Sequence, residues 1–257
     1  MKKGVKVIPL FELLHTKIYY SAQPADDDEG HNPVGIAREL SSQGADEIAF
    51  IDVDQVRLGF KVWEDIIKEL KETVDIPIIF GNSMNAFDEF EVALETGVDR
   101  VAIDVFGDTD HSMVDILSSK YGSERIVVAV GGKKNPPESG RPEFELVERC
   151  GCKPTGMNLI EWLKMAEFFG VGMVILTSYD TAGAGKGYDI EMTRAVTSAI
   201  SVPVIAVGGA GKLEHFYQVI NEAGAAGVGA TSVFKSGILT PLQIKKYLAD
   251  RGVGIAK

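Results

Sequence analysis

The chain repeats itself at a spacing of about half its length. Ile76-Pro-Ile-Ile-Phe-Gly-Asn-Ser-Met84 is echoed by Val202-Pro-Val-Ile-Ala-Val-Gly-Gly-Ala210, and the shared prolines, Pro77 and Pro203, stand 126 positions apart. The flanks repeat too. Gly44-Ala-Asp-Glu-Ile-Ala-Phe-Ile-Asp-Val-Asp54 answers to Gly170-Val-Gly-Met-Val-Ile-Leu-Thr-Ser-Tyr-Asp180, and Thr96-Gly-Val-Asp-Arg-Val-Ala-Ile-Asp-Val105 to Ala223-Gly-Ala-Ala-Gly-Val-Gly-Ala-Thr-Ser232. Solenoid repeats are roughly 20–50 residues long, so this period implies two half-domains of several strand–helix units each. Eight β-branched runs read as strands, near 5–10, 47–53, 76–80, 100–105, 125–130, 172–178, 202–207 and 226–230. Their continuous apolar character suits strands buried on both faces of a parallel sheet. Between them lie helical patterns such as Val62–Lys71 and Leu159–Phe169, the latter closed by Gly170. Eight such units in two similar halves predict an α/β fold, a closed (β/α)8 TIM barrel. It is expected to be one domain, 1–257, with half-barrels at about 1–124 and 125–257. A doubly wound open sheet is the alternative.

Composition narrows the partners. A net charge of −11 argues against nucleic acid or an anionic membrane surface, and an anionic ligand must be held by local donors against that field. No run approaches the roughly 18 apolar residues of a membrane span, and the first residues lack a secretory leader, so the expected location is cytoplasmic. Cys150 and Cys152 are too close for an ordinary disulfide and have no histidine near them in sequence, which leaves two thiols in a loop. No cofactor and no metal are expected.

Two connections are long, residues 13–33 after the first strand and 131–157 after the fifth. Both follow a strand's carboxyl end, the face on which barrels do chemistry. On that face Val207-Gly-Gly-Ala-Gly-Lys212 follows the seventh strand and Gly229-Ala-Thr-Ser-Val-Phe234 the eighth. Loops at these two positions commonly bind phosphate. Gly208 and Gly209 let backbone amides approach an oxyanion, and Thr231 and Ser232 can donate hydroxyls. Where the second half has Gly208-Gly209 and Thr231-Ser232, the first has Asn82-Ser83 and Asp104-Val105.

Leu176-Thr-Ser-Tyr-Asp180, Gly187-Tyr-Asp-Ile-Glu-Met192, Val207-Gly-Gly-Ala-Gly-Lys-Leu-Glu-His-Phe216 and Ala230-Thr-Ser-Val-Phe234 resemble the cyclase subunit of imidazole glycerol phosphate synthase, HisF. The similarity runs from about Val7 to Val253 and is strongest in the C-terminal half. It implies a duplicated barrel that receives ammonia along its axis from a class I, HisH-like glutaminase and uses it on a phosphorylated small molecule. It also places an acid–base pair of aspartates at the ends of strands 1 and 5. Here those positions are Glu12 and Gly131, and glycine transfers no proton. Asp180 and Gly183 keep the family's residues in the strand-6 loop, where Ala182 replaces an acid, and Asp52 at the end of strand 2 is a further candidate acid or base. The implied catalytic set is therefore Glu12, Asp52 and Asp180, with Gly183 joining the phosphate loops.

In the first half the glycine-rich strand-3 loop has become Gly81-Asn82-Ser83, and Asp104 stands where a phosphate would sit. A carboxylate repels a phosphate, so the substrate is expected to carry one phosphate, its far end being uncharged, cationic or furnished with hydroxyls that Asn82 and Asp104 can bond. At the opposite mouth the family's ring of charges, an ammonia gate, matches Lys6, Glu47, Arg100 and Met173, three of them with charge sign kept. The expected function is a C–N bond-forming synthase or cyclase subunit of a glutamine amidotransferase. The alternatives are the histidine-pathway enzyme itself with drifted motifs, and a non-catalytic conduit that activates a glutaminase for a third protein.

Overall fold

A computed structural model describes residues 4–14, 17–19, 32–52, 60–82, 87–104, 111–148 and 153–256. Among them eight strands pair in parallel around a closed ring. They are β1 (Lys6–Leu14), β3 (Ile48–Asp52), β4 (Ile78–Asn82), β5 (Arg100–Asp104), β6 (Ile126–Lys134), β9 (Met173–Ser178), β10 (Val204–Val207) and β11 (Gly227–Ala230). The ring closes twice over, because β1 pairs with both β3 and β11 while β6 pairs with both β5 and β9. All eight runs read from the sequence are strands of this (β/α)8 barrel. Segments that repeat in sequence lie four places apart on the ring: β3 opposite β9, β4 opposite β10, β5 opposite β11.

Alternation along each strand divides the apolar residues into two layers. In β3, Ile48 and Phe50 pack toward the helices, whereas Ala49 and Ile51 join Ile8, Ile79, Val127, Ile175 and Ile205 inside the barrel. Strands covered on both faces must be apolar at every position, which is why these runs show no polar alternation. Phe11, Phe50, Phe80, Phe90 and Phe216 are fully buried in the helix-facing layer. Each contributes roughly 1.5–3 kcal/mol relative to exposure.

The helices begin where side chains satisfy their first amides. In α1 (Pro33–Ser42) Asn32 Oδ1 accepts from the Val34 amide at 2.9 Å. Asn158 does the same for α5 (Leu159–Phe168), and Asp189 Oδ1 accepts from Met192 at 2.9 Å in α6 (Ile190–Ala199). The remaining outer helices are α2 (Phe60–Thr73), α3 (Phe87–Thr96), α4 (Ser112–Tyr121), α7 (Leu213–Ala223) and α9 (Pro241–Ala249). A one-turn helix, α8 (Ser232–Lys235), is inserted directly after β11.

Residues 131–157 depart from the expected loop. β6 continues past the barrel rim to Lys134 and pairs antiparallel with β7 (Phe144–Glu148), which pairs in turn with β8 (Lys153–Asn158). Glu145, 1% exposed, holds this extension together. Its carboxylate accepts from Asn135 Nδ2 at 2.8 Å and from the Gly156 amide at 2.7 Å, with Arg141 at 3.5 Å. Burial pushes its carboxyl up, but these bonds outweigh that and hold it below the usual range. The loop after β1 also starts as structure, because Leu13 and Leu14 pair with Ile18 and Lys17 of a short antiparallel β2 (Lys17–Tyr19). Cys150 and Cys152 lie outside the described residues. No described helix is long and apolar enough to cross a membrane.

Candidate active site at the barrel mouth

The carboxyl ends of β9, β10 and β11 bring the glycine loops together. Gly208 and Gly209 have φ of 96° and 97°, a region that side chains disfavour. A Cβ on Gly209 would sit 2.0 Å from the Gly187 carbonyl oxygen, so the loops after β9 and β10 touch backbone to backbone. Their carbonyls are gripped from one side: the Gly187 amide donates to Gly209 O at 2.8 Å and Thr181 Oγ1 to Gly208 O at 3.3 Å. Among the described residues neither the Gly209 nor the Ala210 amide finds an acceptor. Ser232 and Val233 open α8, where amides have no carbonyl four residues back. Two sets of backbone donors thus flank the predicted anion position, with exposed Lys186 and Lys212 in the same loops.

Individual residues differ in what they offer. Ser232 is exposed and Gly183 turns with φ 75° in the loop after β9. Thr231 Oγ1 donates to the Leu10 carbonyl at 2.6 Å, so its proton ties β11 to β1 and its oxygen is left as an acceptor. The expected hydroxyl donation by Thr231 is therefore not what this arrangement presents. Asp180 accepts from the Lys134 amide at 2.7 Å and braces the β6 extension against β9.

Two residues with no role assigned from the sequence hold these loops. His215, 6% exposed in the first turn of α7, accepts the Gly211 amide on Nδ1 at 3.1 Å. That bond assigns the proton to Nε2 and requires the neutral ring. Burial first, then the Lys212 charge, push its pKa down, with Glu214 opposing. Tyr188, buried, donates to the Gly229 carbonyl at 2.9 Å and meets Phe216 edge-on. His215 lies within the Val207–Phe216 segment that carries the resemblance, but no role of its own could be read there.

Across the mouth the carboxylates are arranged by strand parity. Glu12 shares the lumen face of β1 with Ile8 and Leu10, and burial pushes its carboxyl up, toward the protonated form. Asp104 shares the lumen face of β5 with Ala102. Asp52, 4% exposed, shares the face of Ile48 and Phe50 instead, which points toward the helix layer. Asn82 ends β4, and its side chain lies outside the described residues, as do Ser83, Val105 and Asp54.

At the opposite end, Lys6 and Arg100 are the first residues of β1 and β5, and Glu47 immediately precedes β3. Glu47, 1% exposed, pairs with both: Oε1 with Lys6 Nζ, and Oε2 with Arg100 Nη1 at 2.5 Å. One carboxylate thus spans from β1 to a strand three places round the ring. Met173, the first residue of β9, is buried in the lumen layer. The three charged residues expected at this end are brought together.

The family model described as "Histidine biosynthesis protein" matches residues 8–240. This chain belongs to that family. Its members are typically biosynthetic enzymes, and the matched span contains every strand from β3 to β11 and all the loops just described. Only the first two residues of β1, Lys6 among them, and the last helix fall outside it.

Proposed function

We propose that this barrel is the synthase or cyclase subunit of a glutamine amidotransferase. It takes ammonia from a class I glutaminase docked at the Lys6–Glu47–Arg100 end and forms a C–N bond on a singly phosphorylated substrate at the other. The observation that carries the reading is the pairing of opposite ends. Unbonded amides at Gly209 and Ala210 suit an oxyanion, while the far end closes with one buried carboxylate between two cations. Between them the lumen layer is apolar, from Ile8 and Ala49 to Ile175 and Ile205. Neutral ammonia crosses such a layer at lower cost than ammonium.

Chemistry at the mouth falls to Glu12 as the acid–base group, because burial pushes its carboxyl up from the ordinary range. Asp180 and Asp104 stand as further polar groups around the substrate. The test is ammonium-driven turnover by the isolated barrel against glutamine-driven turnover with the glutaminase. Arg100→Ala should abolish the second and spare the first; equal loss of both removes the gate. With the histidine-pathway ribonucleotide little turnover is expected, and robust cyclisation sinks the divergent reading in favour of the pathway enzyme. A second reading, a conduit without chemistry of its own, is favoured by Gly131. It predicts that Glu12→Gln leaves product formation untouched.

A further inference from the structure

The β6 extension is clasped to the turn after β9 beyond the point where the two strands stop pairing. Their parallel ladder ends with Gly131 opposite Thr177 and Gly132 opposite Ser178. Past it, the Tyr179 amide donates to the Gly132 carbonyl at 3.0 Å, and the Lys134 amide donates to Asp180 Oδ2 at 2.7 Å. The Tyr179 ring makes a third contact. A Cβ built on Gly131 would lie 2.0 Å from its Cε2 and 2.7 Å from its Cδ2. Carbons in contact keep roughly 3.5–4.0 Å, so the ring lies directly on the Gly131 backbone and fills the space a side chain would take. The backbone itself does not require glycine there, since Gly131 is absent from the residues of positive φ.

The same turn grips the rim. Thr181 Oγ1 donates to the Gly208 carbonyl, and a Cβ on Gly209 would come within 3.0 Å of Thr181 Cβ. Farther along, a Cβ on Gly211 would lie 2.2 Å from the Gly185 carbonyl oxygen. Tyr179, Asp180 and Thr181 are consecutive, so adjacent residues hold the extension on one side and the rim on the other. The extension carries the link onward, because Gly131–Lys134 pair with Phe144–Val147 and Glu145 ties β7 to Asn135 and Gly156. Resting on the phosphate site proposed above, we infer that this turn couples the two, so that an anion at Gly209 and Ala210 orders β7 and β8. An anion that fixes Gly208–Ala210 fixes Thr181, and its two neighbours then hold Gly131, Gly132 and Lys134. Rigidity gained at the rim lowers the entropy still to be lost in the extension, which links the two regions without a change of shape. The link is reciprocal, and loosening the extension weakens the anion.

Amide hydrogen exchange of the full-length protein, with and without saturating inorganic phosphate, tests this. Phosphate should slow exchange in Phe144–Glu148 and Lys153–Asn158 about fivefold or more, the low end of ordinary coupling between sites. Helix α3 (Phe87–Thr96), in the other half-barrel, should change far less; an equal slowing there marks general stabilisation and overturns the inference. Tyr179→Ala and Asp180→Ala should still bind phosphate in calorimetric titration but lose the protection of β7 and β8, whereas Tyr179→Phe, which keeps the ring, should retain it. Glu145→Gln acts from the far side of the extension and should weaken phosphate about threefold or more. Phosphate binding that leaves β7 and β8 unchanged, protection that survives both alanine substitutions, or full affinity in Glu145→Gln overturns the inference alone. No phosphate signal in the wild type overturns the site reading and the inference with it. Thermal melts guard against misfolding: Gly131→Ala should lower Tm in the wild type and cost little in a Tyr179→Ala background. An equal cost in both backgrounds means the ring is not on Gly131, and the inference falls.

Discussion

The two half-barrels share a repeat but have specialised at opposite ends. At the base the first half carries Lys6, Glu47 and Arg100, while the positions that answer to Glu47 and Arg100 in the second half are Met173 and Gly227. At the mouth the order reverses. The second half has Gly208-Gly209 and Thr231-Ser232, with loops locked backbone to backbone, where the first has Asn82-Ser83 and Asp104-Val105. A duplicated scaffold supplies the same strand ends twice, and substitution at a few of them separates a charged base from a glycine-rich rim. The lesson is that duplication fixes where a site can be, and side chains decide which copy uses it.

The largest effect should come from the base. Glu47→Ala leaves two cations beside an apolar lumen, and breaking a buried ion pair costs roughly 3–5 kcal/mol. Lys6 and Arg100 are 28% and 20% exposed, which puts the expected loss near the lower end, about 3 kcal/mol by denaturant titration. Met173→Ala, the answering position, removes packing only, and an equal response to phosphate and glutaminase in the two variants would erase the contrast between halves.

Next comes the rim. Gly209→Ala combines a positive φ with a contact at 2.0 Å and should cost about 2–3 kcal/mol. Phosphate affinity should fall at least tenfold with it. Ser83→Ala, at the position that answers to Gly209, should leave phosphate affinity unchanged. A loss there as large as at Gly209 means both halves hold an anion.

His215 sharpens the comparison through pH. Its folded pKa lies below the unfolded value of about 6.5. Below that pH the unfolded chain binds a proton that the folded chain refuses, so stability falls as pH drops from about 6.5 toward the folded value. His215→Asn should flatten this acid limb and loosen phosphate binding; an unchanged limb shows that the ring does not serve the loop. The smallest effect belongs to Glu12. Its folded pKa is raised by burial, so ionisation penalises the fold as pH rises above about 4.3 and the penalty is complete above the folded value. Glu12→Gln should therefore stabilise slightly at neutral pH and lose that gain in acid, as melting curves at pH 4 and 8 will show.

Much of the fold was legible because parallel strands covered on both faces leave continuous β-branched runs, such as Ile48–Ile51 and Ile126–Val130, that no helix or surface loop needs. The span 131–157 was not, because Pro136, Pro137 and Gly140 read as loop, while the pairing of Lys133 with Glu145 depends on the buried Glu145 carboxylate accepting from Asn135 and Gly156, which lie elsewhere in the span. Gly208, Gly209 and Ser232 could be picked out in advance, since their chemistry lies in the residue type. Thr231 could be named but not its direction, as its acceptor, Leu10, is at the other end of the chain.

By itself, then, the sequence determined the repeat and the number of βα units, and it marked candidate residues at the rim and base, because local spacing and residue chemistry carry that information. Tertiary structure alone decided that Tyr179 fills the space above Gly131, that His215 receives the Gly211 amide, and that Glu47 reaches both Lys6 and Arg100. Each of those contacts depends on which side chains point to the same side of a closed ring. That is set by the register of neighbouring strands, and no single segment contains it.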